Sequence, residues 1–178
     1  MTIDSIIKQY DFNLGYAKAL VEDLAEDQMT VIPAQGLDNH PAFTIGHLIS
    51  GSADLASDLG ADFEMPDGWA ELFVRMGPGD PRKPDPDSDR YPSKDALISE
   101  LEKQHQKVKR MLRNLDVVKL NEPLTWRFGN FMPTLGDLVV FMCVNHEAMH
   151  LGQLAAWRRA MGLDSALASM KHIKKPYR

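Results

Sequence analysis

Ile3, Ile6, Ile7, Tyr10, Leu14, Ala17, Val21 and Leu24 recur at three- and four-residue steps. That spacing lines one face of a helix and predicts a first helix from roughly Asp4 to Ala25, ending before Pro33. A second helix starts between Asn39 and Thr44, with Pro41 suited to its first turn. Its inner stripe reads His47, Leu48, Gly51, Ser52, Leu55 and Leu59, and Gly60 supplies an end. A third helix opens at Ser93, a good N-cap, and buries Leu97, Leu101, Val108, Leu112 and Leu115, while "EKQHQKVKR" faces water. A fourth opens on "PTLGD", where Thr134 as N-cap and Asp137 form a capping-box variant; it runs to about Ala160 and stops at Gly162.

The connections differ in character. Between the second and third helices, "DGWAELF" predicts a short helix, whereas "GPGDPRKPDPDSDRYP" is too crowded with Pro, Gly and Asp to form one. A crossover of that length lets the second and third helices run parallel. Before the fourth helix, "LTWRFGNFMPT" alternates around Gly129-Asn130 and predicts a small hairpin with a primed turn. Strand signals are too few for a sheet. The fold class is therefore all-α, a helical bundle, and residues 1–178 read as one domain with a basic tail from about 163.

Composition narrows the function classes. A net charge of −5 argues against a nucleic-acid partner, because phosphate binding needs a basic surface. A single cysteine, Cys143, cannot form an intramolecular disulfide, which fits a reducing, cytoplasmic setting. The N-terminus carries no secretion-signal pattern, and no run approaches the ~20 apolar residues that span a bilayer, so no membrane partner is expected.

The histidines carry the chemistry. His146 and His150 lie four apart on the fourth helix, on a stripe shared with Val139, Met142, Cys143, Met149, Gln153 and Trp157. Two imidazoles on an inward seam are costly unless their ring nitrogens find partners, and a metal ion satisfies both. His47, on the inner stripe of the second helix, is the candidate third ligand. The bland alternative is a set of hydrogen-bonded core histidines. His105 sits among charged residues and reads as solvated or structural, His40 as part of a turn, and His172 as part of the tail.

"HEAMH" also matches the H-E-x-x-H pattern of zinc proteases. Such enzymes take their third ligand downstream, but Gln153 and Ala156 stand where one class has Gly and His, and no Glu follows Glu147. A metallopeptidase is therefore disfavoured. Glu147 reads first as a helix-surface carboxylate and second as a group reaching a metal-bound water.

"FTIGHLISGSADL", "MPDGWAELFVRMGPGD" and "VNHEAMHLGQLAAWRRAMG" together resemble the DinB-like family of four-helix metal proteins, over about Asp4 to Gly162. The resemblance implies an up-down-down-up bundle and a divalent metal ion held by His47, His146 and His150. It also implies thiol S-transferase chemistry with bacillithiol or a related low-molecular-weight thiol, or mycothiol-dependent isomerase chemistry, on a small-molecule substrate. Three neutral imidazoles leave a divalent ion its charge and an open position, as in catalytic rather than structural zinc sites. Imidazole suits several metals, with zinc or nickel favoured here, and the expected reaction is a thiol transfer or a hydrolysis. The alternative is a non-catalytic module that the ion stabilises.

Partners that fix the imidazole tautomers are expected, with Asp54 and Gln153 as candidates; each could equally be a plain helix polar residue. Cys143 reads as a small core hydrophobe rather than a fourth ligand. Trp69 and Phe73 either line the entrance or anchor the core. The back of the fourth helix (Val140, Val144, Ala148, Leu151, Gly152, Ala155) is also apolar, and the long connections or a second subunit in a homodimer would cover it.

Overall fold

Each long helix begins on a side chain that its sequence supplies. The computed structural model describes residues 2–77 and 80–170, and these are helical, with no strand among the described residues. Helix α1 spans Ile3–Val21, and Thr2 Oγ1 accepts from Ser5 N–H at 3.2 Å. It is shorter than its apolar spacing suggests, because Ala25 instead starts a tight 3₁₀ turn, Glu26–Gln28. Helix α2 is Pro41–Asp58 and the short α3 is Trp69–Phe73. Helix α4, Lys94–Asn114, is capped by Ser93. The last long helix opens as α5, Leu135–Val140, with Thr134 and Asp137 exchanging bonds at 3.2 and 3.0 Å. It passes through a π-helical turn, Phe141–His146, and continues as α6, Glu147–Ala160. A short α7, Ala166–Ser169, follows Gly162, whose φ of 73° ends the run.

His40 is more than a turn residue. It is the N-cap of α2: its Nδ1 accepts from Phe43 N–H at 3.2 Å, and its Nε2 lies 3.0 Å from the Asp85 carbonyl. That assigns a neutral ring with its proton on Nε2 and ties the crossover to the start of α2. Burial pushes its pKa below the ordinary imidazole value.

Helix α2 packs on α4 and α6, and α1 packs on the same two helices from another side. One apolar cluster centres on Leu20, Ile45, Leu48, Leu101 and Trp157, another on Ile7, Leu55, Val108, Leu112 and Val139. Burying each such side chain contributes about 1.5–3 kcal/mol.

Several expectations change. The Gly129-Asn130 segment is not a primed hairpin: neither residue has positive φ, which a primed turn requires, and Phe131 and Met132 both donate to Phe128 O at 2.9 Å. Only an isolated bridge pairs Pro123 with Thr134. The fourth helix is not uniformly α. Its wide turn holds one residue too many for the regular pattern, and Asn13 on α1 donates to the carbonyls of Cys143 and Val144 there. Its back face is covered largely by α1. Leu151 is buried and Val140, Val144 and Ala155 are half-buried, leaving Ala148 and Gly152 open. Met149, expected inward, is 51% exposed, and Leu115 is only half-buried. No helix among the described residues is long and apolar enough to cross a membrane. His172 and the end of the basic tail lie outside the described residues.

Two glycines predict opposite outcomes. A Cβ on Gly46 would lie 2.2 Å from ring carbons of the fully buried Phe73, whereas one on Gly152 meets nothing within 4 Å. Gly46→Val is expected to destabilise by at least ~1–3 kcal/mol through overpacking. Gly152→Ala is expected to stabilise by up to ~1 kcal/mol through helix propensity. Urea-unfolding midpoints measure both signs.

Candidate metal centre

His47 leaves α2 on the side facing the last helix, and His146 and His150 leave that helix on consecutive turns towards α2. One ring nitrogen from each lies within 4.8 Å of the other two. Ring centroids are 5.3 Å apart for His47 and His146, 4.7 Å for His47 and His150, and 4.6 Å for His146 and His150. All three are half-buried, so the cluster is reachable from solvent.

Two tautomers are set by neighbours. His47 Nδ1 lies 3.0 Å from the Phe73 carbonyl, so its Nδ1–H donates there. Phe73 is the last residue of α3, and a carbonyl at a helix end lacks an intrahelical partner. His150 Nδ1 lies 3.2 Å from Gln153 Oε1, which also accepts from Asn39 Nδ2 at 3.2 Å. With both Nδ1 atoms protonated and engaged, both Nε2 lone pairs are free for a cation. His146 packs closely against Gly51: a Cβ there would lie 3.1 Å from its Cε1, so the ring would have to give by a few tenths of an ångström to admit a side chain. The donors present fit a divalent metal ion, and this triad could hold one.

Asp54 makes no hydrogen bond to any of the three rings; the Phe73 carbonyl holds His47 instead. Asp54 reaches the surface, but the protein around its carboxyl and the neighbouring Asp58 push it up to about 6. Gln153 does contact His150, from an exposed position. Cys143 is buried in the core and lies outside the cluster. Phe73 anchors the core against Gly46, and Trp69 packs beside it at 5.8 Å between ring centroids.

Glu147 is not on the surface. It is 3% exposed and points towards α1 and α4, with Oε1 2.9 Å from Nε2 of His105, itself 1% exposed. His105 Nδ1 is committed to Leu101 O at 3.0 Å, so Nε2 is the ring nitrogen that faces the Glu147 carboxyl. Tyr10 stacks on the ring at 3.9 Å. Burial pushes the Glu147 carboxyl up. The wheel missed this because the helix is flanked on two sides: the His146 side meets α2, and the Glu147, Leu151 and Leu154 side meets α1 and α4.

Burial lowers the pKa of all three site histidines, to about 3 for His146 and about 4 for His150. His47 and His150 add to this on His146, and His47 does so on His150; Arg75 acts on His47 and Arg127 on His146 in the same sense. Neither arginine was legible as part of the site, since both lie in connections without periodicity. The neutral imidazoles are ready to bind a cation at neutral pH with little competition from protons.

An all-helical protein with a histidine triad on facing helices is the class that fold and site define. Residues 9–154 match the family model described as the DinB superfamily, and the chain belongs to that superfamily. No curated protein and no solved structure gives a match. The third histidine precedes the H-E-x-x-H stretch and no strand lies near it among the described residues, unlike the zinc proteases that share the pattern.

The lowered pKa values predict a pH dependence. The unfolded chain binds more protons in acid than the folded one, so stability rises with pH across the interval. Metal-free protein is expected to lose stability as pH falls below about 6.5, the unfolded imidazole value. The loss should continue to the folded values of about 4 and about 3 for His150 and His146. Urea midpoints measured with a chelator between pH 7 and 4 test this; replacing the three histidines with Gln should flatten that part of the profile.

Proposed function

We propose that this chain is a metal-dependent enzyme acting on a small molecule, with zinc or nickel held by His47, His146 and His150. The convergence of three neutral ring nitrogens, two of them with tautomers set to present Nε2, carries this reading. A divalent ion there would supply Lewis-acid activation of a water or a thiol. The chain itself supplies orientation: Phe73 O and Gln153 fix two rings, and Gly51 gives the third its room. Donors that are all neutral and half-buried suit a reacting centre with an open position better than a sealed structural one. The reaction class is a thiol S-transfer, with a low-molecular-weight thiol as co-substrate, or a hydrolysis. An up-down-down-up order of the long helices, with the connection from α2 to α4 bridging two parallel ones, would place the triad between α2 and the last helix. The acidic net charge supports a small-molecule rather than a nucleic-acid substrate.

Metal-loaded protein is expected to conjugate a thiol to a small aryl halide or to hydrolyse an activated ester, and chelation should abolish that rate. His150→Ala, checked by circular dichroism to be folded, should lose about a hundredfold or more. A rate indifferent to chelation and to His150→Ala would contradict the enzyme reading. A melting temperature that falls on metal removal in a protein with no such activity would favour a stabilising ion.

A further inference from the structure

Two guanidiniums connect to the triad through packed aromatic rings. Arg75, just after α3, lies over Phe43 with Cζ 4.4 Å from the ring centroid, and Phe43 stacks on His47 at 5.7 Å and 7°. Arg127, between α4 and α5, lies 5.9 Å from the Phe128 centroid; Phe128 packs on Phe141 at 5.2 Å, and Phe141 on His146 at 6.3 Å. Arg127 Nη2 donates to Met76 O at 2.8 Å, and a Cβ on Gly77 would strike its Cζ at 2.4 Å, so this guanidinium lies directly across the crossover.

Neither arginine has a carboxylate partner among the described residues. The nearby Asp80 is engaged by Arg82 at 2.9 Å and by Met76 N–H at 3.0 Å. Arg75 uses Nη1 on the carbonyls of Leu72 and Val74, at 3.0 and 3.1 Å. Its Nε–Nη2 edge remains, and that edge matches the two oxygens of a carboxylate. Among the described residues, Arg75 acts on His47 and Arg127 on His146, each disfavouring a proton on the ring.

A divalent ion in a triad of neutral donors would add two more positive charges beside two guanidiniums. In a half-buried site that imbalance is costly until an anion enters. We propose that the ligand of this site is a small molecule bearing a carboxylate, which Arg75 binds through its Nε–Nη2 edge with Arg127 assisting, while a second donor atom of the same molecule faces the triad. This rests on the reading of the triad as a metal centre. It adds a specificity determinant that the histidines cannot provide.

The test uses 3-mercaptopropionate and its neutral amide, 3-mercaptopropionamide, as probes on cobalt(II)-loaded protein, reading the thiolate-to-cobalt absorption band. The carboxylate is expected to bind about tenfold tighter than the amide. Arg75→Gln should bring the ratio close to one, Arg127→Gln should lower it in part, and high salt should shrink it in the parent. Equal binding of the two probes, or a ratio unchanged in folded Arg75→Gln, overturns the proposal. If the parent takes up no cobalt, the metal reading fails by itself. The anion site is then decided on metal-free protein by the Arg Nε–H resonances. A shift of the Arg75 signal with the carboxylate but not the amide sustains it, and no shift overturns it.

Discussion

Three imidazole nitrogens facing one another across two helices are an unfavourable arrangement by themselves. Their lone pairs repel, burial removes water from them, and His47 and His150 lower the affinity of His146 for a proton. A fold that holds them within 4.8 Å must supply the constraint from elsewhere, and it does so from three directions. The carbonyl at the end of α3 takes the His47 proton, Gln153 takes that of His150, and the absent side chain of Gly51 admits His146. The short α3 matters for that reason: Phe73 plugs the core against Gly46 while its backbone reaches His47.

The last helix serves two interiors at once. One side carries the triad towards α2, and the adjoining side buries Glu147 against His105 of α4. Between Val140 and Glu147 the helix widens into a π turn, and Asn13 donates to the carbonyls of Cys143 and Val144 in it. Such turns recur at functional sites because they re-aim side chains without ending the helix. Here the turn ends at His146, the first histidine of the pair.

The parts of this structure with strong periodicity were legible. Apolar spacing marked α1, α2, α4 and the final helix, and Ser93, Thr134 and Gly162 marked ends because capping chemistry is local. The triad was legible because His146 and His150 repeat at helical spacing and His47 shares a stripe with Leu48 and Leu55. What escaped depends on contacts between segments. Glu147 read as a surface carboxylate because a single wheel cannot show that two neighbours flank the helix. The Phe73 carbonyl carries no side-chain signal, and Asp54 was the nearer acceptor in sequence. The Gly129-Asn130 pair looked like a primed hairpin, yet the chain there takes an ordinary turn with negative φ. The π turn has no marker in "FMCVNH" that distinguishes it from a regular helix.

Charge ties these elements to chemistry. The protein is acidic overall, yet the charged side chains that act on His47 and His146 are two arginines, Arg75 and Arg127, which an average over the sequence conceals. The most direct test of the account is X-ray absorption on untagged protein loaded with one equivalent of zinc. The account predicts three imidazole nitrogens at about 2.0–2.1 Å, falling to two in His47→Ala. Three imidazoles persisting in that variant, or a parent that binds zinc with fewer than three, would contradict it.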